Sequence, residues 1–278
     1  MKQELMQTER VIEIGQFLKS KGFKHKTIDI YCSTIKKVTD AIGINFDEKE
    51  LEDSFMGLDL SPRTYNLRRA IMNFYTKKYL NYLLTFTKAK VDASLPTYVS
   101  QEEFNRFLST IPNVRHRIGF GLMYYSGLRV YEVCRVKKHD LYFDTLTMYV
   151  KEGKGGKDRQ TILPKEFAME LKGYVSSMGE NEFYLFRTYR GHISERSFQE
   201  RLKKAIYDAK LTKRFSCHDF RHSFAINLLN KGVDIEIVRK LLGHSCLKTT
   251  QIYLQCRTTN LTEIATRLEG NITQCIIQ

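Results

Sequence analysis

No stretch of the chain approaches the roughly twenty consecutive apolar residues that a membrane-spanning helix needs. The opening Met1-Lys2-Gln3-Glu4 is not followed by an apolar signal core, so export is not expected. Paired cysteines are missing as well. Cys32, Cys134, Cys217, Cys246, Cys256 and Cys275 are scattered without a CxxC pair. In a chain of 278 residues that pattern argues against a disulfide framework and reads as reduced, mostly buried thiols of a cytoplasmic protein. Internal repeats and low-complexity tracts are absent. Acidic residues are missing between Leu60 and Val91, where Arg63, Arg68, Arg69, Lys77, Lys78, Lys88 and Lys90 stand alone.

What is present is an excess of positive charge. Lys and Arg number 45 against 31 Asp and Glu, a net charge of +14, which points to a polyanionic partner. The excess is uneven: residues 1–95 carry 16 basic and 12 acidic side chains, residues 96–278 carry 29 and 19. A helix over the acid-free stretch can lie along a phosphate backbone, which makes Arg68, Arg69, Lys77 and Lys78 candidate DNA contacts.

Apolar spacing predicts helices over the first ninety residues. Thr8 is read as the cap of a helix through Val11, Ile14, Phe17 and Leu18 that stops near Gly22. A second helix spans Thr27 to Ala41. Ser61-Pro62 opens a third, read as running to about Thr85. The segment from Lys88 to Thr97 has no periodicity and serves as a linker. Ser100 with Glu103 forms a capping box that opens a second domain, followed by an apolar helix near Ile118–Tyr125. Two β-rich runs, Leu146 to Val150 and Gln160 to Leu163, flank a Gly-rich turn and form a hairpin. Helices return from Lys165, separated near Gly191 and Gly232. The fold class is therefore mainly α, with a small β element (α+β).

A phosphodiester resists attack because its anionic oxygens repel nucleophiles, and fixed cations relieve this most as charge builds in the transition state. Arginine suits the task, since its planar fork binds two oxygens and stays protonated. Arg129 follows Ser126-Gly127-Leu128 directly beyond an apolar helix, and Arg221 shares a helix with Phe220, Phe224, Ala225, Leu228 and Leu229. Those contexts favour a site over a surface ion pair. Among sixteen tyrosines, Tyr124 and Tyr125 read as core. Tyr253 stands out through its neighbours His244 and Thr249-Thr250-Gln251-Ile252. A phenol of pKa about 10 needs nearby cations or a base to become a nucleophile. Lys154, in the hairpin turn, is placed to protonate a departing 5′ oxygen; Lys157 and Arg159 read as contacts to backbone phosphates. His218, one turn before Arg221, is positioned to take the proton from Tyr253. Glu132, three residues after Arg129, can orient an arginine or histidine from behind.

These motifs resemble the tyrosine recombinase family of integrases and Xer-type recombinases. Gly127-Leu128-Arg129-Val130-Tyr131-Glu132 looks like its first arginine motif, and Gly153-Lys154-Gly155-Gly156-Lys157-Asp158-Arg159 is similar to its hairpin lysine motif. His218-Asp219-Phe220-Arg221 matches the H-x-x-R box, Leu242-Gly243-His244 the second histidine box, and Thr249-Thr250-Gln251-Ile252-Tyr253 the nucleophile box. The resemblance implies a helical core-binding (SAM-like) DNA-binding domain over 1–90, a linker over 91–98 and a catalytic domain over 99–278. It implies cleavage and rejoining of DNA through a 3′-phosphotyrosine, with Arg129, Lys154, His218, Arg221, His244 and Tyr253 catalytic and no metal or other cofactor. The implied partners are double-stranded DNA with inverted-repeat sites and a homo-tetramer that exchanges strands through a Holliday junction. In relatives a segment like Asn260 to Gln278 docks on a neighbouring protomer; packing on its own protomer is the alternative. With no domain expected before Met1, the layout looks most like the Xer-type or simple mobile-element recombinases.

Two other readings compete. His218 and His222 lie at i and i+4, the spacing of a zinc hydrolase, with Cys217 or Cys246 as a further ligand. That reading leaves Arg129, the lysine turn, Tyr253 and the charge unexplained. A DNA-binding protein without catalysis is the other, although every expected catalytic position holds a competent residue.

Overall fold

The computed structural model describes residues 2–92, 95–151, 158–180, 182–189 and 191–256. The chain divides into two units, residues 1–93 and 94–278.

In the first unit, α1 (Lys2–Ser20), α2 (His25–Ile42), α3 (Glu48–Met56) and α4 (Pro62–Tyr75) enclose a core of Ile14, Leu18, Ile35, Leu51, Phe55, Ile71, Met72 and Tyr75. Thr8 does not cap α1. The helix is already under way there, and the Thr8 hydroxyl turns back to donate to Glu4 O at 2.8 Å, as a mid-helix threonine does. The acidic segment starts α3, because Asp47 and Glu50 each accept the other's backbone N–H, at 2.8 and 3.0 Å.

Helix α4 begins as read, with Ser61 accepting from Thr64 N and Pro62 at the first position. It ends earlier than Thr85. A single π-helical turn, Thr76–Leu80, follows Tyr75, and Asn81 then turns left-handed at φ 59°. Polar side chains hold the chain beyond it. Asn73 Oδ1 accepts from Leu84 N at 2.8 Å. Arg69 donates to Phe86 O at 2.7 Å and Leu84 O at 2.9 Å, and Glu48 accepts the N–H groups of Thr85 and Phe86. Leu84 and Phe86 thereby enter the core.

Two of the residues expected to contact DNA have partners within this unit. Arg69 is spent on its own backbone and stacks over Phe86. Lys78 pairs with Glu13 at 2.9 Å and sits over the Phe17 ring at 4.8 Å. Lys77 is exposed and Arg68 half-buried.

The second unit opens with α5 (Gln101–Ser109), capped reciprocally by Ser100 and Glu103. Next come α6 (Val114–Ser126) and the short α7 (Val130–Val133). Strands β1 (Leu141–Tyr142), β2 (Thr147–Val150) and β3 (Arg159–Ile162) form an antiparallel sheet in that order, Val150 facing Arg159. The turn that carries Lys154 and Lys157 lies outside the described residues. After α8 (Lys165–Ser176), β4 (Arg187–Thr188) and β5 (Gly191–His192) make a second hairpin where only a helix separator was expected. Gly191 supplies its φ of +112°. Helices α9 (Glu195–Asp208), α10 (Cys217–Asn230), α11 (Ile235–Leu242) and α12 (Lys248–Gln251) follow, and a 3₁₀ turn, Ile252–Cys256, closes the described chain.

α6 packs on α10 through edge-on rings, Phe120 and Tyr124 lying 5.7 and 6.2 Å from Phe220 between centroids, and Phe104 of α5 stacks on Tyr124 at 4.0 Å. Gly127 ends α6 in the left-handed region (φ +68°), and a Cβ there would stand 2.4 Å from the Phe224 ring. Only glycine permits both the turn and this approach. The consequence is functional, because the chain leaves α6 against α10 and brings Arg129 towards Arg221.

Candidate active site

Helix α10 has an apolar face that carries one charged residue inward. Arg221 is fully buried beside Phe220, Phe224 and Ala225. Its guanidinium donates Nη1 to Gly127 O and Nη2 to Leu242 O. Those carbonyls end α6 and α11, where acceptors are orphaned and the helix dipole favours a cation. Burial, with the charges of Arg129 and Arg159, lowers the Arg221 pKa to about 9, while Glu132 opposes them; it stays protonated at neutral pH. Its Nε has no hydrogen-bond partner among the described residues.

Glu132 is the only carboxylate paired with these arginines among the described residues. Its Oε1 accepts from Arg129 Nη1 at 3.0 Å and Arg159 Nη1 at 2.7 Å; its Oε2 accepts from Arg159 Nη2 at 2.7 Å and Arg129 N at 2.8 Å. Arg221 Nη1 lies 4.0 Å from Oε2. Burial alone would raise the Glu132 carboxyl, but the hydrogen bonds and charge of Arg159, then the Arg129 N–H and the Arg221 charge, hold it at about 2. Glu132 thus stands behind both expected arginines.

Arg159 was expected on the DNA backbone, and the structure places it elsewhere. It is 8 % exposed, forked onto Glu132, and its Nε donates to Leu241 O at 2.9 Å. The alternation of β3 explains this: Arg159 and Thr161 point inward while Gln160 faces out. Gly243, left-handed at φ +64°, leaves room, since a Cβ there would meet Arg159 Cδ at 2.7 Å. Three cations share one anion, so the site keeps a surplus of positive charge.

Tyr253 is 2 % exposed and packs on α10. Its hydroxyl stands 2.9 Å from His222 Nδ1. His222 entered the sequence reading only as half of a zinc pair, and the i, i+4 spacing from His218 was the signal that placed it on the same face. His218 sits at the surface, its ring edge-on to His222 at 4.6 Å between centroids. Burial raises the phenol of Tyr253, and Arg221 and Arg129 pull it back down. The Tyr253 hydroxyl is therefore closed in and lies within the field of both arginines.

His244 follows the C-terminal turn of α11 and shares Nδ1 with Thr250 Oγ1 at 3.0 Å. Thr250 is fully buried, and its hydroxyl has no other hydrogen bond among the described residues, so it donates to Nδ1 and leaves the ring proton on Nε2. Sequence gave no reason to single out Thr250. Burial, then the surrounding arginines, lowers His244 to about 3. At the surface, His218 is lowered as well, by the part of its ring that is shielded from water, then by His222, Arg221 and Arg129. Both rings are neutral near pH 7. Among the described residues no group of three His, Cys, Asp or Glu converges as metal ligands, and His222 is engaged with Tyr253; the zinc reading finds no support here.

Arg129, Glu132, His218, Arg221, His244 and Tyr253 thus come together, whereas Arg68, Arg69, Lys77 and Lys78 belong to the other unit. Residues 97–259 match the phage integrase family. The chain is 30 % identical over 275 residues to the tyrosine recombinase XerA of Pyrococcus horikoshii, covering 94 % of each. Among solved structures, its fold resembles a lambda integrase dimer bound to a COC′ core site at a TM-score of 0.73 and 18 % identity, covering 87 % of this chain and 75 % of that one. It also resembles XerH bound to a palindromic difH substrate in a post-cleavage complex, at a TM-score of 0.70 and 21 % identity, covering 93 % of this chain and 85 % of the other.

Proposed function

The chain belongs to the phage integrase family and is a site-specific DNA recombinase of the tyrosine type, and from that premise we propose which of its residues perform the reaction. Tyr253 is the nucleophile. Its oxygen bonds to the scissile phosphorus as the bond to the 5′ oxygen breaks, leaving a 3′-phosphotyrosine and a 5′ hydroxyl. The energy of the broken ester is kept in that link for rejoining.

Arg129 and Arg221 neutralise the phosphate oxygens, with the largest effect as the transition state gathers charge. Arg159 and Glu132 hold their positions. His244, with its proton on Nε2, donates to a phosphate oxygen, His218 lines the same pocket, and Lys154 protonates the departing 5′ oxygen. Because Arg221 and Tyr253 are both buried, duplex DNA must open the site before attack.

Residues 1–90 serve as the helical core-binding domain, residues 91–98 as linker and residues 99–278 as the catalytic domain. The DNA carries inverted-repeat sites, four protomers act together through a Holliday junction, and the protein works in the cytoplasm. Arg68, Lys77 and Lys157 are the basic residues assigned to the DNA backbone. The crystallised lambda integrase and XerH are DNA complexes, which supports duplex DNA as the partner.

One observation carries this reading: the phenol of Tyr253 lies within the charge of both Arg221 and Arg129. The test is a nicked suicide duplex whose cleaved end diffuses away. Wild-type protein is expected to form a covalent adduct that Tyr253→Phe abolishes. An adduct that survives this substitution would move the nucleophile to another residue.

A further inference from the structure

Attack by Tyr253 requires its hydroxyl proton to leave as the O–P bond forms. Resting on the tyrosine-nucleophile reading, we propose that His222 is the catalytic base that accepts this proton, with His218 packed behind it.

The hydrogen-bond inventory points that way. A buried phenol must donate its proton to some acceptor. The acceptor present among the described residues is His222 Nδ1, at 2.9 Å; no hydrogen bond joins His218 to Tyr253. Donation to Nδ1 requires that nitrogen to be bare, so the ring proton of His222 resides on Nε2. In the DNA-free chain His222 is thus paired with the proton that must leave, and in this proposal the pair persists when DNA opens the site.

The surroundings keep the ring receptive. His218, Asp219 and Arg221 face it from its own helix, and Tyr253 faces it from the closing 3₁₀ turn, with Arg129 and Cys256 acting on the phenol. Burial lowers His222, Asp219 raises it and Arg221 lowers it again. The ring is therefore neutral before cleavage, and Asp219 steadies the cation that forms.

Electrons and protons balance as follows. The phenolic O–H bond breaks, its electron pair forms the O–P bond, and the proton passes to Nδ1 to give an imidazolium. The bond from phosphorus to the 5′ oxygen breaks with its pair on oxygen, and a separate acid, Lys154 in the reading above, protonates it. Rejoining reverses each transfer, and His222 returns its proton to the phenol.

The test uses the full chain and a pool of nicked duplexes with randomised arms, from which wild-type protein first captures its own substrate covalently. His222→Asn keeps a polar atom near Nδ1 but cannot take up the proton. Its single-turnover cleavage on the captured duplex is expected to fall about 10²–10⁴-fold near neutral pH and to climb towards wild type as pH rises, with DNA affinity little changed. His218→Asn should lose less and keep the wild-type pH profile. A wild-type rate and profile in His222→Asn would overturn the assignment, as would the altered profile appearing in His218→Asn instead.

A second measurement needs no DNA and covers the case in which His222→Asn does not fold. In the free wild-type chain labelled with ¹⁵N-histidine, His222 should be the Nε2–H tautomer, and its Nδ1 signal should move in Tyr253→Phe. A proton found on Nδ1 would overturn the proposal. Failure of wild-type protein to capture any duplex would instead count against the tyrosine-nucleophile reading, while the tautomer still judges the hydrogen bond.

Discussion

The two units use their cations in opposite ways. Around α4 the basic side chains have no acid near them in sequence, yet Arg69 and Lys78 turn back onto their own unit, onto backbone carbonyls, Glu13 and aromatic rings. In the second unit Arg129, Arg159 and Arg221 crowd around a single buried carboxylate, Glu132. Of these contacts, the Glu13–Lys78 pair sits where water screens it. The second unit's cluster is desolvated, so each partner depends on the others. Local charge density thus says little about where a cation is held; burial and the nearby acceptors decide it.

The sharpest way to break this contrast is to remove the shared anion. Glu132→Ala leaves Arg159 and Arg221 buried without compensation and should cost about 3–5 kcal/mol, read as a fall in the urea midpoint. A loss within the roughly 0.5 kcal/mol of an ordinary surface substitution would contradict this dependence on the buried anion. Arg221→Ala keeps the Arg159–Glu132 fork, so the fold should survive. Cleavage should drop about 10²–10³-fold, roughly 2.7–4 kcal/mol, while DNA affinity changes little; equal losses of binding and cleavage would contradict a transition-state role.

Acid sharpens the same comparison. Glu132 is held at about 2 against an ordinary 4.5. Its folded value is depressed, so its stabilisation is complete above 4.5 and is lost as pH falls towards 2. Wild-type stability should decline through that window, and Glu132→Gln should flatten the decline. In the first unit, Arg69→Ala removes two backbone hydrogen bonds at about 0.5–1.5 kcal/mol each and should lower the melting temperature with little effect on the salt dependence of DNA binding. The smallest effect on stability belongs to Lys77→Ala, within about 0.5 kcal/mol, with a salt slope shallower by about one. The reverse outcome for this last pair would return Arg69 to the DNA face.

Much of the scaffold was legible because its signals are local. The capping box of Ser100 and Glu103, the Ser61-Pro62 start and the hairpin after Leu146 each depend on a few neighbouring residues. The errors share a cause. Thr8 carries a helix-start residue type but sits inside a helix already under way. The expected run of α4 to Thr85 failed because Asn73, Arg69 and Glu48, distant in the chain, hold residues 84–86 extended. Arg159 looked like a surface cation until β3 turned it inward, although the period-two alternation of that strand was readable beforehand.

Residue order alone was enough to mark out the helical framework and to single out Arg129, Glu132, His218, Arg221, His244 and Tyr253, because backbone preferences and motif spacing are properties of neighbouring positions. Folding in three dimensions selected their partners: Arg159 for Glu132, Thr250 for His244, His222 for Tyr253. Each of those pairings joins groups six to thirty-one positions apart. Such contacts form only where packed helices remove water, and desolvation makes one acceptor worth far more than the many that an exposed side chain can reach.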